Sequence, residues 1–502
     1  MFYVILKKEA IMKRAILVAF IMLLINILSI SAQEIIKKIP EDPYGLSYID
    51  VFENMNYNQP YRPQIHYTPI TGQIGDATGL IIYKGEFHLF YMYDEWSRSR
   101  NYNKSWGHAT SYDCIHWEQK PQVLNSVLDN KPGSGSGIID WNNTLNLQSG
   151  VERTLVIFYT DYGRGSCLEF SRDAGKTWIR HRNNPIIPMR EGRNDRDPLV
   201  FWYKPDQSWR LIQFEEPGFT FYKSNDLLNW NFLSKIDGFY ECPDFMEIPI
   251  DNDINNKKWV ILDARGVYQI GEFNGNEFIS NMQNSKVDFG NLYATQTFKQ
   301  TYESDGPFIQ LAFLRLKGKP DHNRVWSQQM CFPCELTLKT INGELRLCRN
   351  PINGIKQLRY ESHFWKNISI KPGDNPLADL DGDVFEIISE VDLAKATGFG
   401  FNIRGEILTY SVKDKQLIFM GDTAKVLPVS QKIKLRLIID RNSVEIFANR
   451  GEVTFSNLFY PDPLNKDLEL FSTGGTFNLI NLEAYRLSSI WLKREQELGY
   501  YR

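Results

Sequence analysis

The chain has 502 residues, 42% hydrophobic and 23% charged, which places it among folded globular proteins and outside the disordered and fibrous classes. Its 57 Lys and Arg are nearly balanced by 60 Asp and Glu, so it lacks the basic stripe that neutralises phosphates, which argues against nucleic acid as a partner. At roughly 150 residues per domain the length allows two or three domains, while 12 Trp, 25 Tyr and 31 Phe call for β-sheet cores or for sites that take ring-shaped ligands.

In chain order the first signal is for export. Lys13 and Arg14 precede an apolar run from Ala15 to Ile30, and Ser29, Ser31 and Ala32 supply small residues before Gln33. That order predicts a cleaved signal peptide over residues 1–32, with a periplasmic or extracellular destination. The run is shorter than the roughly 20 residues a bilayer-spanning helix needs, so no membrane span is expected after cleavage. Met12 is an alternative start. Beyond it the chain reads as short strands and turns: hairpins are predicted within Gly79–Asp94, at Thr154–Tyr159, over Leu199–Phe214 and over Lys258–Phe273. A repeat runs through them, Ser111-Tyr-Asp113 before Trp117, Ser171-Arg-Asp173 before Trp178, and Ser224-Asn-Asp226 before Trp230. Each Ser-x-Asp can close a tight turn through its side-chain oxygens while the Trp packs under the next strand. All-β repeats of roughly 50 residues are the mark of a propeller; a single β-sandwich explains the alternation but not the repeat. Residues 45–350 are therefore expected to form a β-propeller. After a linking stretch at Asn350–Arg359, which contains Pro351 and Gly354, strands of another rhythm (Val384–Val391, Phe399–Ile403, Ile407–Val412, Lys434–Ile439, Ser443–Phe447, Leu468–Ser472) predict a β-sandwich over 360–490. The six cysteines are too few for a disulfide framework in a chain of this size, and the CxxC of Cys331 and Cys334 has no second pair at zinc spacing.

Three carboxylates sit in turns at expected strand starts: Asp76 in Gly72-Gln-Ile-Gly-Asp-Ala-Thr-Gly79, Asp197 in Arg196-Asp-Pro198, and Glu241 in Tyr240-Glu-Cys-Pro243. Propeller blades begin at the central channel, so residues this far apart in sequence can meet there. Glycoside hydrolysis needs one carboxylate to attack or to position water, one acid to protonate the leaving oxygen, and polar groups for the sugar hydroxyls. A nucleophile near Arg stays ionised, and an acid beside Tyr240, Cys242 and Pro243 is expected to be pushed toward its protonated form by desolvation. No metal and no cofactor are expected.

At these residues the chain resembles glycoside hydrolase family 32, the invertase, inulinase and levanase group. The motifs follow in that family's order: Arg62-Pro-Gln-Ile-His-Tyr-Thr-Pro69, Trp106-Gly-His-Ala109, Ser134-Gly-Ser136, Arg196-Asp-Pro198, Glu241-Cys-Pro243, Tyr293-Ala-x-Gln-Thr-Phe298 and, near the end, Arg441-Asn-Ser-Val-Glu-Ile-Phe447. The resemblance implies an all-β fold, a five-bladed propeller followed by a C-terminal sandwich, and a retaining double displacement on β-D-fructofuranosyl linkages of levan, inulin or sucrose. It implies Asp76 as nucleophile, Glu241 as acid and then base, and Asp197 with Arg196 as sugar ligands that stabilise the transition state. Ser134 and Trp106 are expected to line the sugar site, with Gln73, Tyr293 and Trp326 as further substrate contacts.

The nucleophile motif departs from the family's Trp-x-Asn-Asp-Pro-Asn-Gly. The Trp is Gln73, the Asn is Gly75, and Met92 stands in Phe90-Tyr-Met-Tyr93 where the family usually has Gln. A buried sugar hydroxyl left without its partner costs about 1–3 kcal/mol, so the usual fructose pose is weakened unless Gln73 or Thr78 compensates. Three readings follow: a fructan or fructoside hydrolase, a related propeller glycosidase acting on another glycoside, and a carbohydrate-binding protein that has lost catalysis. Keeping all three carboxylates favours an enzyme, with an oligo- or polysaccharide as its partner. His66, His88, His108 and His116 have no metal spacing and are expected in structural hydrogen bonds. Trp96, Trp141 and Trp326 are candidate sugar platforms, and nothing in the sequence assigns an oligomeric state.

Overall fold

The computed structural model describes residues 56–95, 105–124, 131–299, 306–316, 324–393 and 395–491. The expected signal peptide and Trp96 lie outside the described residues. Apart from two 3-10 turns, Lys204–Asp206 and Asn353–Leu358, the regular elements are β-strands.

Five four-stranded antiparallel blades follow one another along the chain. The first is Gly72–Tyr83, Glu86–Asp94, Ser105–Ser111 and Glu118–Lys120, with Trp326–Ser327 added in parallel to its innermost strand. The second is Pro132–Asp140, Thr154–Asp161, Gly165–Ser171 and Ile179–Arg180, and the third is Arg196–Tyr203, Ser208–Glu215, Gly218–Ser224 and Asn231–Asp237. The fourth is Asp244–Ile250, Asp253–Leu262, Val267–Phe273 and Phe278–Ile279; the fifth is Leu292–Thr297, Phe308–Leu314, Cys334–Ile341 and Glu344–Pro351. One parallel pair, Ile250 with Leu338, joins the last two into a single sheet.

A blade cannot bury both faces alone, and the side chains between blades account for much of the aromatic load. Ile81, Phe90 and Trp106 of the first blade pack on Ile139, Leu155 and Tyr159 of the second. Leu199, Ile212 and Phe219 of the third pack on Phe245, Ile261 and Phe273 of the fourth. Each such side chain contributes about 1.5–3 kcal/mol by leaving water. The Ser-x-Asp repeat falls where it was expected to work, at the turn leaving the third strand of blades one to three. Asp113 accepts the amides of Ile115 and His116, Asp173 that of Thr177, and Asp226 those of Leu228 and Asn229. The fourth blade replaces the device with Asn274, whose side chain accepts the amides of Asn276 and Glu277.

The innermost strands are tied to one another by side chains that reach across blade boundaries. Thr78 exchanges bonds with the backbone of Gly135, Ser136 donates to the carbonyl of Pro198 and accepts from the amide of Val200, and Gln296 donates to the carbonyl of Gly135. These bonds fix the strand starts relative to one another, which sets the geometry of the site.

From Arg359 onward the chain forms a sandwich. Its larger sheet runs Arg359–Ile370, Phe477–Leu487, Phe385–Asp392, Lys432–Asp440, Ser443–Ala448, Val453–Leu458, and its smaller sheet Asp422–Lys425, Gln416–Phe419, Glu406–Ser411, Gly398–Ile403, Leu468–Gly474. All six predicted strands are present; Arg359–Ile370, Gln416–Phe419, Asp422–Lys425, Val453–Leu458 and Phe477–Leu487 are additional. All six cysteines are buried and unpaired with one another. The histidines make structural bonds: His66 to Asp440 and Glu445, His88 to His108, His116 to Asp113.

Candidate active site

Each candidate carboxylate stands at or just before an innermost strand. Asp76 lies in the first, inside a β-bulge between Ile74 and Ala77 that turns it out of the ladder. Asp197 begins the third, and Glu241 precedes the fourth. Asp197 (φ 62°), Glu241 (φ 51°) and Cys242 (φ 42°) all occupy the left-handed region, which costs a non-glycine residue on the order of 1–3 kcal/mol and concentrates at functional sites. The surrounding ladder holds them there: the Asp197 amide donates to Thr160 Oγ1 at 2.8 Å and the Cys242 amide to Asp197 Oδ2 at 3.1 Å.

The three groups meet on a cavity of about 350 Å³, whose wall also includes Gln73, Gly75, Met92, Tyr162, Tyr293 and Gln328. Ser134 donates to Asp76 Oδ2 at 2.6 Å. The Cys242 thiol lies 3.9 Å from that oxygen and 3.6 Å from Asp197 Oδ2, bridging the two aspartates. Glu241 is gripped at both oxygens: Arg196 donates to Oε1 through Nη2 (2.7 Å) and Nε (3.2 Å), and the Tyr293 hydroxyl donates to Oε2 at 2.5 Å. The Arg196 guanidinium rests on the Phe214 ring, 4.3 Å from its centroid.

Arg196 starts the strand beside the Tyr240–Cys242 turn, which places its guanidinium on Glu241. The Asp197 carboxyl is pushed up to about 7: it is fully buried, Glu241 and then Asp76 repel its charge, and Arg196, 3.8 Å away, offsets only part of this. The cluster thus favours holding a proton near neutrality, as close carboxylates do. Burial and the bond to Glu241 hold the Tyr293 phenol above its ordinary range, so it remains a donor.

Of the predicted substrate contacts, Gln73, Arg196 and Tyr293 line the cavity. Three others stand behind it. Ser134 is buried against Asp76. Trp106 is fully buried, donates its indole N–H to the Gly133 carbonyl and packs under the first innermost strand near Gly79. Trp326 is fully buried under the Arg62 guanidinium, 4.7 Å from its ring. These two rings fill the core and present no face to the cavity. Trp141 lies at the opposite end of the innermost strands, on a separate cavity with Trp202 and Trp259. Thr78 is also removed from sugar binding, since its hydroxyl is spent on Gly135.

Sequence reasoning missed Tyr162, Asp94, Arg315 and Gln328, all on the cavity wall. Gln328 donates to the Ile74 carbonyl at 2.6 Å and accepts the Leu316 amide at 3.0 Å, so it braces the segment carrying Asp76. Among the described residues no group of three or more His, Cys, Asp or Glu side chains is arranged to hold a metal ion.

Comparison with known proteins matches both halves of the chain. The model of the glycosyl hydrolases family 32 N-terminal domain matches residues 66–351 and that of the family 32 C terminal matches residues 354–486. A levanase of Bacillus subtilis (strain 168) is 31% identical over 492 residues, covering 88% of this chain and 72% of its own. The crystal structure of exo-inulinase from Aspergillus awamori superposes with a TM-score of 0.79 at 25% identity, over 87% of this chain and all of that one. Fructan 1-exohydrolase IIa from Cichorium intybus shares the fold at 20% identity, with a TM-score of 0.72 over 86% of this chain. With both halves matched by their family models and the three carboxylates gathered at one mouth of the propeller, the chain belongs to glycosyl hydrolases family 32.

Proposed function

We propose that the protein hydrolyses β-D-fructofuranosyl linkages of fructans or sucrose-type oligosaccharides with retention of configuration. The observation that carries this reading is the differentiated environment of three carboxylates around one sugar-sized cavity. Asp76, oriented by Ser134, attacks the anomeric carbon and forms a fructosyl ester. Glu241, oriented by Arg196 and Tyr293, gives its proton to the leaving oxygen and then takes one from the incoming water. Asp197 faces the sugar hydroxyls and the charge that develops on the ring. Gln73 supplies an additional amide to the sugar.

The relatives act on levan, inulin and related fructosides by their names, which favours a polymeric fructoside here. Residues 45–350 serve as the catalytic domain and 360–490 as a supporting sandwich. The N-terminal pattern over 1–32 and the extracellular inulinase relatives support export, and no helix among the described residues is long and apolar enough to cross a membrane. A second reading, another glycoside as substrate, is favoured by Gly75 and Met92, which leave part of the cavity wall without polar groups.

The test is incubation of purified protein with sucrose, inulin and levan, with products separated by chromatography and the first-formed anomer read by NMR. Release of β-fructose with all activity lost in Asp76→Asn is expected. Inertness toward all three alongside cleavage of another glycoside transfers the function to the second reading.

A further inference from the structure

Arg190 is exposed, lies outside the catalytic cavity, and is bound to two buried carboxylates. Its guanidinium forks onto Asp195, Nε to Oδ2 at 2.7 Å and Nη2 to Oδ1 at 2.6 Å, and its backbone amide also reaches Oδ2 at 3.3 Å. The same Nη2 lies 3.1 Å from Glu215 Oε2. Glu215 is further held by Gln213 (2.8 Å), by the Tyr222 hydroxyl and by Lys235 at 3.4 Å. Both carboxylates are one residue from the machinery. Asp195 precedes Arg196, and Glu215 follows Phe214, whose ring carries the Arg196 guanidinium and whose backbone pairs with Arg196 across the ladder. Arg196 also donates through Nη1 to the carbonyl of Asn194 at 2.7 Å, inside the loop that Arg190 closes. A turn from the Arg193 amide to the Arg190 carbonyl completes that loop.

We infer that Arg190 is a positioning residue: it clamps the loop 190–195 to the strand Ser208–Glu215 and thereby fixes Arg196 against Glu241. The inference rests on the reading of Glu241 as the acid that protonates the leaving group. Arg190 does not line the cavity and does not bind Glu241, and its effect passes through the Asn194 carbonyl, the Phe214 ring and the Arg196 fork. A lysine keeps the charge but cannot engage Asp195 at both oxygens and Glu215 at once, because an ammonium lacks the planar fork.

The test compares two leaving groups. An alkoxide from a sugar needs full protonation, whereas a nitrophenolate departs with little help, so a misplaced acid harms the first more than the second. Arg190→Lys is expected to lower kcat/KM about tenfold on a fructan oligosaccharide and less than about threefold on nitrophenyl β-fructofuranoside. Asp195→Asn, which keeps shape and loses the ionic fork, is expected to give the same split and serves if the first variant does not fold. Melting temperature is measured on both. An equal loss on the two substrates, or no loss on either in folded protein, overturns the clamp. Failure of the unmutated protein to cleave the oligosaccharide overturns the hydrolase reading instead, so the two failures are distinguishable.

Discussion

Among the places where the molecule buries ionisable side chains, two are built on opposite electrostatic plans. Where the propeller meets the sandwich, His66 lies between Asp440 (2.7 Å) and Glu445 (3.0 Å), and Glu445 also receives Arg349 at 3.1 Å, Ser456 at 3.1 Å and the Phe332 amide at 2.6 Å. Burial alone would lower the His66 pKa, but bonds to Asp440 and Glu445 outweigh it and raise the ring to about 9. Burial would likewise raise Glu445, yet Arg349 and His66 bring it down to about 2. Every charge there has a partner, and the ionised forms are the stable ones. At the mouth of the propeller Asp197 and Glu241 share the Arg196 cation with Asp76 close by, and Asp197 is held toward its neutral form. The first arrangement joins two domains; the second stores repulsion where a reaction can use it.

The largest effects separate the two regions by readout. Asp76→Asn or Glu241→Gln is expected to lower kcat by about 10⁴-fold or more while leaving the melting temperature close to that of the unmutated protein, measured by fructose release and by calorimetry. Arg349→Met should do the reverse. It leaves Asp288 in the interior without its cation and Glu445 with His66 alone, a loss of about 3–5 kcal/mol in a denaturant titration, with kcat of the folded fraction within about twofold. A large fall in kcat for Arg349→Met at full folding would join the two regions into one functional unit.

Next in size is the pH dependence, where the signs differ. His66 is raised above its ordinary 6.5, so its stabilisation is complete below 6.5 and is lost as pH climbs through about 9. Glu445 is lowered from 4.5, so its contribution is present above 4.5 and is lost as pH falls toward about 2. Asp197 is raised from 3.8 to about 7, so the folded state holds a proton that the unfolded chain has released, and stability drops across that interval as pH rises. Asp197→Asn removes that penalty. It is expected to add about 1–3 kcal/mol at pH 8 and little at pH 4, with activity lost, in the manner of active sites that trade stability for chemistry. Equal stability of the variant and the unmutated protein at pH 8 would mean that Asp197 is ionised at no cost.

The three carboxylates were legible because turn formers and apolar neighbours mark a strand start, and strand starts converge in a propeller. The repeat was legible because Asp113, Asp173 and Asp226 perform the same local task. What was not legible depends on partners far along the chain. His66 and Glu445 are 379 positions apart, and no local pattern pairs them, so Arg441-Asn-Ser-Val-Glu-Ile-Phe447 reads as a motif whose purpose stays hidden until Glu445 is seen accepting Arg349. Gln328 reaches Ile74 across 254 positions. Trp106 and Trp326 were misplaced for another reason: a Trp in a sugar enzyme can present a ring face or fill a core, and only burial distinguishes them. The short sandwich strands Gln416–Phe419 and Asp422–Lys425 were missed because four residues carry too little alternation to register.

The smallest expected effect probes the departure at the cavity wall. Gly75 and Met92 both line the cavity, but only one of them accepts a polar side chain easily. A Cβ added at Gly75 would stand 3.2 Å from the Met92 Cβ, an atom every residue but glycine shares, so Gly75→Asn makes one of the two strands give by a few tenths of an ångström beside Asp76. Met92→Gln keeps that Cβ and nearly the same volume while placing an amide on the wall. One added hydrogen bond to a bound sugar is worth about 0.5–1.5 kcal/mol, so Met92→Gln is expected to lower KM about three- to fivefold on a fructan oligosaccharide with kcat almost unchanged. A KM that rises instead means that the ring of the natural substrate rests on the methionine and takes its polar contacts from Gln73, which places the substrate's hydroxyls on the opposite side of the cavity from the amide added at Met92.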